Sequence, residues 1–403
     1  MKKLLYFIIP IFIGGIFAFG LNKFLDKEIS SLYQSKNLVP LMGEYASDAK
    51  DTGVGLNNHF LEQGDIMMIG ASDFIHETRQ HPAYFFNTNR TKNRAFTVGR
   101  SFTQEAQDAI TIGSMDPNIK NKKVVLLVAL SWFVYPNGIN PEHFQMRFSP
   151  GQFYAFLNNS EISEENKKKL TDRVTDLLKG SDEYKAERLY AMLYDSDTFI
   201  SKVEKVALYP YFKLREGMIS LKEKGVLYKR LKKLKDKTPE DEKQGEPIDW
   251  KKEYDLAISD AKKRVGNNPF GVDQKYYDKT LKPKLKQLKN QYAKVDVENV
   301  KEIDDYKFFL DICEDLGIEP TIVIIPGLPK YYDYTGVTAE KREGLYNKIS
   351  RLAEDKGFNV INTSDRAGEL YYMRDVMHIG TKGWLDVSEK LYKQFNQGQV
   401  PSK

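Results

Sequence analysis

A chain of 403 residues with 41% hydrophobic content is long enough for one large domain or two ordinary ones, and it can build a substantial core, which excludes a disordered protein. Its 61 Lys+Arg against 56 Asp+Glu leave a net of +5, too mild a balance to imply nucleic-acid binding. The only cysteine, Cys313, excludes an internal disulfide, and no Cys/His set has the spacing of a structural zinc site.

Lys2 and Lys3 precede a charge-free apolar run from Leu4 to Leu21, 18 residues that contain Pro10, Gly14, Gly15 and Gly20. That length just crosses a hydrocarbon core of about 30 Å. A cleaved signal peptide is the rival reading, because Ala18-Phe19-Gly20 loosely matches a small-x-small cleavage pattern. The run is longer than a usual signal core, so an uncleaved anchor within residues 1–25 is the reading taken forward. Lys2 and Lys3 favour a cytoplasmic N-terminus, against Lys23 and Lys27 beyond the run. The rest of the chain is then expected outside the cell, beginning with a membrane-proximal segment over 26–60.

From residue 61 onward the pattern predicts one domain. Ile66-Met67-Met68-Ile69 reads as a buried strand, Arg94 to Val98 as a second and Val124 to Leu130 as a third, with a helix from Gln104 to Ile112 between the last two. The alternation stops near 135 and resumes near 302, with a helix over 302–316, a strand at Thr321 to Ile325, a helix over 339–356, a short strand at 358–361 and a final helix from Thr381 to about Phe395. Strands alternating with helices predict an α/β fold with a mostly parallel sheet covered on both faces. A mainly helical insertion is expected over about 136–300. Within it, Lys222 to Lys237 holds eight Lys/Arg and two Asp/Glu, a local net of +6. This is either a solvated helix face or a patch for a polyanion or anionic headgroups, with Lys229, Arg230, Lys232 and Lys233 as the contacts.

The residues with the most chemistry lie at opposite ends of the domain. Ser72, in Gly70-Ala71-Ser72-Asp73, follows the first strand at a strand-to-helix turn, and Asp375-Val376-Met377-His378 precedes the last helix. A serine hydroxyl is a poor nucleophile until an imidazole takes its proton and a carboxylate orients that imidazole. Ser72 is therefore the candidate nucleophile, His378 the base and Asp375 the orienter. The backbone N–H groups of Ser72 and Gly99 are the expected oxyanion donors, both at strand ends. Ser131, Trp132, Phe133 and Tyr332 are expected to line the pocket, although ordinary packing explains the aromatic residues equally well. His76 and His81 are alternative bases or substrate contacts, or simply exposed polar residues. With Glu77 or Asp73 they show no recognised ligand spacing, so neither a metal nor any other cofactor is expected.

At these residues the chain resembles the SGNH (GDSL-like) hydrolases, in which a serine follows strand one and Asp-x-x-His lies near the C-terminus. The usual asparagine block has no counterpart, because the third strand ends in Leu130-Ser131-Trp132-Phe133. Within that superfamily the chain resembles the DltD family of teichoic-acid D-alanylation proteins of Gram-positive bacteria. The similarity runs through the N-terminal anchor, Ser131-Trp132-Phe133, Asn267-Asn268-Pro269-Phe270-Gly271, Tyr332-Asp333-Tyr334-Thr335-Gly336 and His378-Ile379-Gly380-Thr381-Lys382-Gly383-Trp384. Pro326-Gly327-Leu328-Pro329 departs from the family's Pro-Val-Asn.

The resemblance implies a three-layer α/β/α, flavodoxin-like catalytic domain carried outside the cell on a single-pass anchor. It implies transfer of D-alanine to lipoteichoic acid through Ser72, with a DltB-type membrane acyltransferase as partner; the cytosolic carrier DltC is out of direct reach. Hydrolysis of D-alanyl esters or thioesters, and a noncatalytic scaffold for the acyltransferase, are the alternative readings.

Overall fold

The computed structural model describes residues 2–396 except 77, 197 and 244, with the side chains of 2–11, 242 and 396 also left undescribed. Five parallel strands form one sheet: β1 (Ile66–Ile69), β2 (Ala95–Val98), β3 (Lys123–Ala129), β4 (Thr321–Ile325) and β5 (Asn359–Asn362), in the order β2-β1-β3-β4-β5. Every residue of β1, β2 and β4 is buried, so consecutive side chains on opposite faces are all covered. That is why these strands read as continuous apolar runs without alternation. The third strand ends one residue earlier than the sequence suggests, because Leu130 opens a short 3-10 turn with Ser131 and Trp132.

The order of the strands positions the site. From β1 the chain moves to β2 on one side, then crosses to β3 on the other. Two connections therefore diverge at the carboxyl ends of β1 and β3, the place where open parallel sheets leave a crevice. Ile69 is in register with both Val98 and Leu126, so the residues that follow β1 emerge between two neighbours.

Helices flank the sheet. The helix α2 (Glu105–Gly113) is opened by a reciprocal capping box between Gln104 and Gln107. It lies against α5 (Lys301–Asp315), while α6 (Ala339–Glu354) covers β4 and β5. The last helix, α7 (Thr381–Asn396), is anchored by the fully buried Trp384. The region 136–300 is mainly helical as expected, and its longest element is α3 (Phe199–Lys232), followed by α4 (Trp250–Lys262).

The first helix, α1 (Lys2–Ser35), is continuous and contains the whole apolar run. Part of that run lies outside the described side chains, and among the described residues no helix is long and apolar enough to cross a membrane. Its C-terminal portion runs parallel to α3. Lys224 Nζ contacts Asn22 Oδ1 at 2.8 Å and Asp26 Oδ1 at 2.5 Å, and the Phe24 and Tyr228 rings meet edge to face. In the segment after α1, Leu41, Met42, Leu56 and Phe60 are fully buried in the main core.

That segment also buries an amine. Lys50 Nζ donates to Met42 O at 2.8 Å and approaches Thr97 Oγ1 of β2, and burial depresses its pKa to about 7 despite the nearby Asp51. Between pH 7 and about 10.4, the ordinary lysine value, the unfolded chain holds a proton that the folded one has released, so this group makes stability rise with pH across that window. A Lys50→Met variant is expected to show a flatter rise in melting temperature over the same range; an unchanged slope would exclude Lys50 as its source.

Candidate active site

Ser72 begins a short 3-10 turn, Ser72–Ile75, two residues after β1, and is half-buried. Its Oγ lies 2.9 Å from His378 Nε2, across 306 residues of sequence. On the other side of the ring, His378 Nδ1 lies 2.8 Å from Asp375 Oδ2. With a carboxylate on Nδ1, the neutral ring keeps its proton there and leaves the Nε2 lone pair to accept from the Ser72 hydroxyl.

The Asp-x-x-His segment is built locally. Asp375 Oδ1 accepts the N–H groups of Met377 at 2.9 Å and His378 at 2.8 Å, which folds the turn and leaves Oδ2 for the imidazole. Arg374 N–H donates to His378 O, closing the turn from the other side, and Leu328 N–H after β4 donates to Val376 O. The segment is thereby fixed to the sheet.

Electrostatics separate the two titrating groups. Burial works against charge on Asp375, yet His378 and the hydrogen bonds hold its carboxyl below the ordinary value. Burial likewise opposes a charged His378, but Asp375 outweighs it, with help from the buried Asp73, so that the imidazole pKa is raised above 6.5. The result is an imidazole that accepts a proton readily beside a carboxylate that does not.

Two expectations about the surroundings are corrected. The Gly99 N–H donates to Asp51 Oδ1 at 2.9 Å and is therefore engaged, not open to an oxyanion. What glycine provides there is approach: φ is +135°, and a Cβ would stand 1.7 Å from Gly70 O. The Ser72 N–H meets no acceptor among the described residues. Phe133 and Tyr332, expected in the pocket lining, are core residues. Phe133 is fully buried, and Tyr332 lies closely against Gly327, whose Cβ would meet the ring at 2.1 Å. Ser131 and Trp132 are half-buried in the turn after β3.

The other histidines divide clearly. His81 is buried, not exposed: it caps the turn at Pro82 by accepting from Ala83 N–H and lies against Trp384. His76 belongs to the site, with its ring edge-on to His378 and its Nε2 4.0 Å from Asp375 Oδ2. Burial and then Arg374 hold His76 down at about 4, so it is neutral at physiological pH. Among the described residues, His76, Asp375 and His378 offer ligand atoms within 4.8 Å of one another. A metal there would compete with Ser72 and with the Asp375–His378 bond for the same atoms. Glu77, named among the alternative ligands, lies outside the described residues.

Sequence reasoning missed Arg264, Asp273 and Arg374. Arg374 precedes Asp375, and its Nε lies 3.2 Å from Asp273 Oδ2, while Arg264 Nε lies 3.4 Å from Asp273 Oδ1. Asp273 follows the Asn267–Gly271 segment, whose Asn268 side chain closes a turn by bonding both N–H and C=O of Val272. The segment was visible as a motif; its position against the site was not.

Fold and site together define an α/β protein in which a serine, a histidine and an aspartate are hydrogen-bonded in series at the switch point of a five-stranded parallel sheet. A family model described as "DltD protein" matches residues 44–396, and the chain belongs to the DltD family. It is 28% identical over 355 residues to Protein DltD of Bacillus subtilis (strain 168), covering 87% of each chain. It is 23% identical over 336 residues to Protein DltD of Staphylococcus aureus (strain NCTC 8325 / PS 47), covering 82% of this chain and 81% of the relative. It is also 23% identical over 351 residues to Protein DltD of Lacticaseibacillus rhamnosus, covering 84% and 79%.

Proposed function

We propose that this chain acts in teichoic acid D-alanylation as an extracellular, membrane-anchored acyltransferase that forms D-alanyl esters on lipoteichoic acid through Ser72. The observation that carries the reading is the unbroken series from Ser72 Oγ through His378 to Asp375, at 2.9 and 2.8 Å. In the first half-reaction Ser72 Oγ attacks the acyl carbon of a D-alanyl ester or thioester, His378 Nε2 takes the hydroxyl proton, and the donor's leaving group departs with that proton. In the second, an acceptor hydroxyl passes its proton to His378 and attacks the Ser72 ester, and the Ser72 oxygen leaves and recovers the proton. The Ser72 N–H supports the oxyanion in both halves.

In this reading α1 is the single-pass anchor, with its N-terminus cytoplasmic, and a DltB-type membrane acyltransferase is the neighbour in the pathway. Ser72→Ala is expected to abolish D-alanyl ester on lipoteichoic acid in cells while the protein stays folded and membrane-bound; normal ester content would rule out the catalytic role. Release of free D-alanine from an activated donor at the same rate with and without polymer would favour hydrolysis instead.

The basic stretch has a more limited part. Arg230 is paired with Glu44, and Lys232 lies over the Tyr228 ring. Lys229, Lys232 and Lys233 are exposed and supply a diffuse attraction for a polyanion. Replacing these three with glutamine is expected to weaken polymer binding at low salt and to have little effect at high salt. A loss of equal size at both salt concentrations would contradict a screened contact.

A further inference from the structure

Beside the Ser72–His378–Asp375 series stands a second cluster with no part in the proton relay. Asp273 offers one carboxylate to two guanidiniums, Arg264 and Arg374, so the three groups carry one excess positive charge. All three side chains are mostly buried, with 27%, 20% and 12% exposure for Arg264, Arg374 and Asp273. The backbone holds them in place. Asp273 N–H donates to Arg374 O and Gln274 N–H to Arg264 O, both within 3.0 Å, and Arg264 Nη1 donates to Asp260 O at 2.9 Å. Among the described residues, the terminal amines of Arg374 have no hydrogen-bond acceptor. A planar guanidinium held by its neighbours matches a phosphate oxygen pair better than a lysine does. Arg374 directly precedes Asp375 and its carbonyl accepts the Asp273 N–H, so the cluster borders the catalytic groups.

We propose that Arg374 and Arg264, bridged by Asp273, form an anion subsite that holds a phosphodiester of the acceptor polymer while a hydroxyl of the same repeat is presented to the Ser72 ester. This rests on the acyl-transfer reading above. In a glycerol phosphate chain the carbon carrying the free hydroxyl is bonded directly to carbons that carry phosphate oxygens. A phosphate gripped next to His378 therefore brings a hydroxyl to it. Asp273 limits the grip, because it neutralises one of the two charges and lets a processed repeat leave.

The test is direct binding of a D-alanine-free glycerol phosphate oligomer to the full chain in nanodiscs of zwitterionic lipid. Arg374→Gln is expected to weaken binding about tenfold or more, as befits loss of a charge-assisted hydrogen bond, and to do so at high salt as well as low. Asp273→Asn is expected to tighten it, an outcome that misfolding does not produce. Ser72→Ala is expected to bind like the unsubstituted chain. Equal affinity of Arg374→Gln and the unsubstituted protein overturns the subsite, whatever Ser72→Ala does to ester formation. Normal ester formation by Ser72→Ala overturns the acyl-transfer reading while the binding result stands by itself. Arg374-dependent binding of phosphatidylglycerol nanodiscs without binding of the oligomer would assign the phosphodiester to lipid and overturn the polymer assignment.

Discussion

On the acyl-transfer reading proposed above, Asp375→Asn is expected to slow D-alanyl transfer by roughly 10³–10⁴-fold, about the effect of losing the carboxylate of a serine, histidine and aspartate series. The structure supplies the reason. An amide at position 375 can still accept the Met377 and His378 N–H groups through its oxygen, so the turn survives. Toward Nδ1 it presents an NH₂ group, which favours the tautomer with the proton on Nε2 and removes the acceptor that Ser72 needs. A pH profile adds a second readout. His378 must be neutral to act as the proposed base, and Asp375 raises its pKa, so the acidic limb of the unsubstituted protein should lie above the ordinary imidazole value of about 6.5. In Asp375→Asn that limb should move down. Single-turnover acylation measured from pH 5 to 9 decides the matter, and an unmoved limb would mean that another group governs it. The same interaction bears on stability. The raised His378 pKa contributes stability that is fully present below the unfolded value and is lost as pH rises through the folded one. The lowered Asp375 pKa contributes stability present above its unfolded value and lost as pH falls through the folded one.

Gly99→Ala is expected to cost on the order of 3 kcal/mol or more, a large part of the ~5–15 kcal/mol that holds a typical domain together. Two causes combine. A φ of +135° is strained for any residue with a Cβ, and that Cβ would stand 1.7 Å from Gly70 O, a distance that only displacement of the backbone can relieve. Since β1 and β2 are in register from Ile66 to Val98, relief requires parting the strands just where Ser72 emerges. Gly180 is a useful contrast: its φ is +81°, but no atom lies within 4 Å of the place a methyl group would take, so Gly180→Ala should show only the conformational penalty of about 1 kcal/mol. Denaturant midpoints of the two variants compare crowding with conformation alone. Similar midpoints would remove the crowding argument at Gly99.

The strands and the Asp375–His378 turn were legible because each is a local pattern. An apolar run of four residues bounded by Gly70 reads as a buried strand, and Asp375 with His378 forms a turn within four residues. The failures concern partners distant in sequence. Nothing near Gly99 indicates that Asp51 will take its N–H, and nothing near Arg374 indicates that Asp273 will lie beside it. Aromatic residues after a strand end were ambiguous for a different reason. Phe133 and Tyr332 have the composition of a pocket rim, and only packing decides that they turn inward. His81 shows the same limit, since a histidine before proline gives no sign that Trp384 will cover it.

The parallel contact between α1 and α3 has a mechanical consequence. If α1 is the anchor proposed above, the helix runs unbroken from it to Ser35, and Lys224 and Tyr228 contact it before it ends. On that reading the domain is held on its post by side-chain contacts, and Ser72 sits at a set distance from the anchor. On the proposed reading, an acceptor polymer with hydroxyls at many distances from the bilayer would have to bring each repeat to that height.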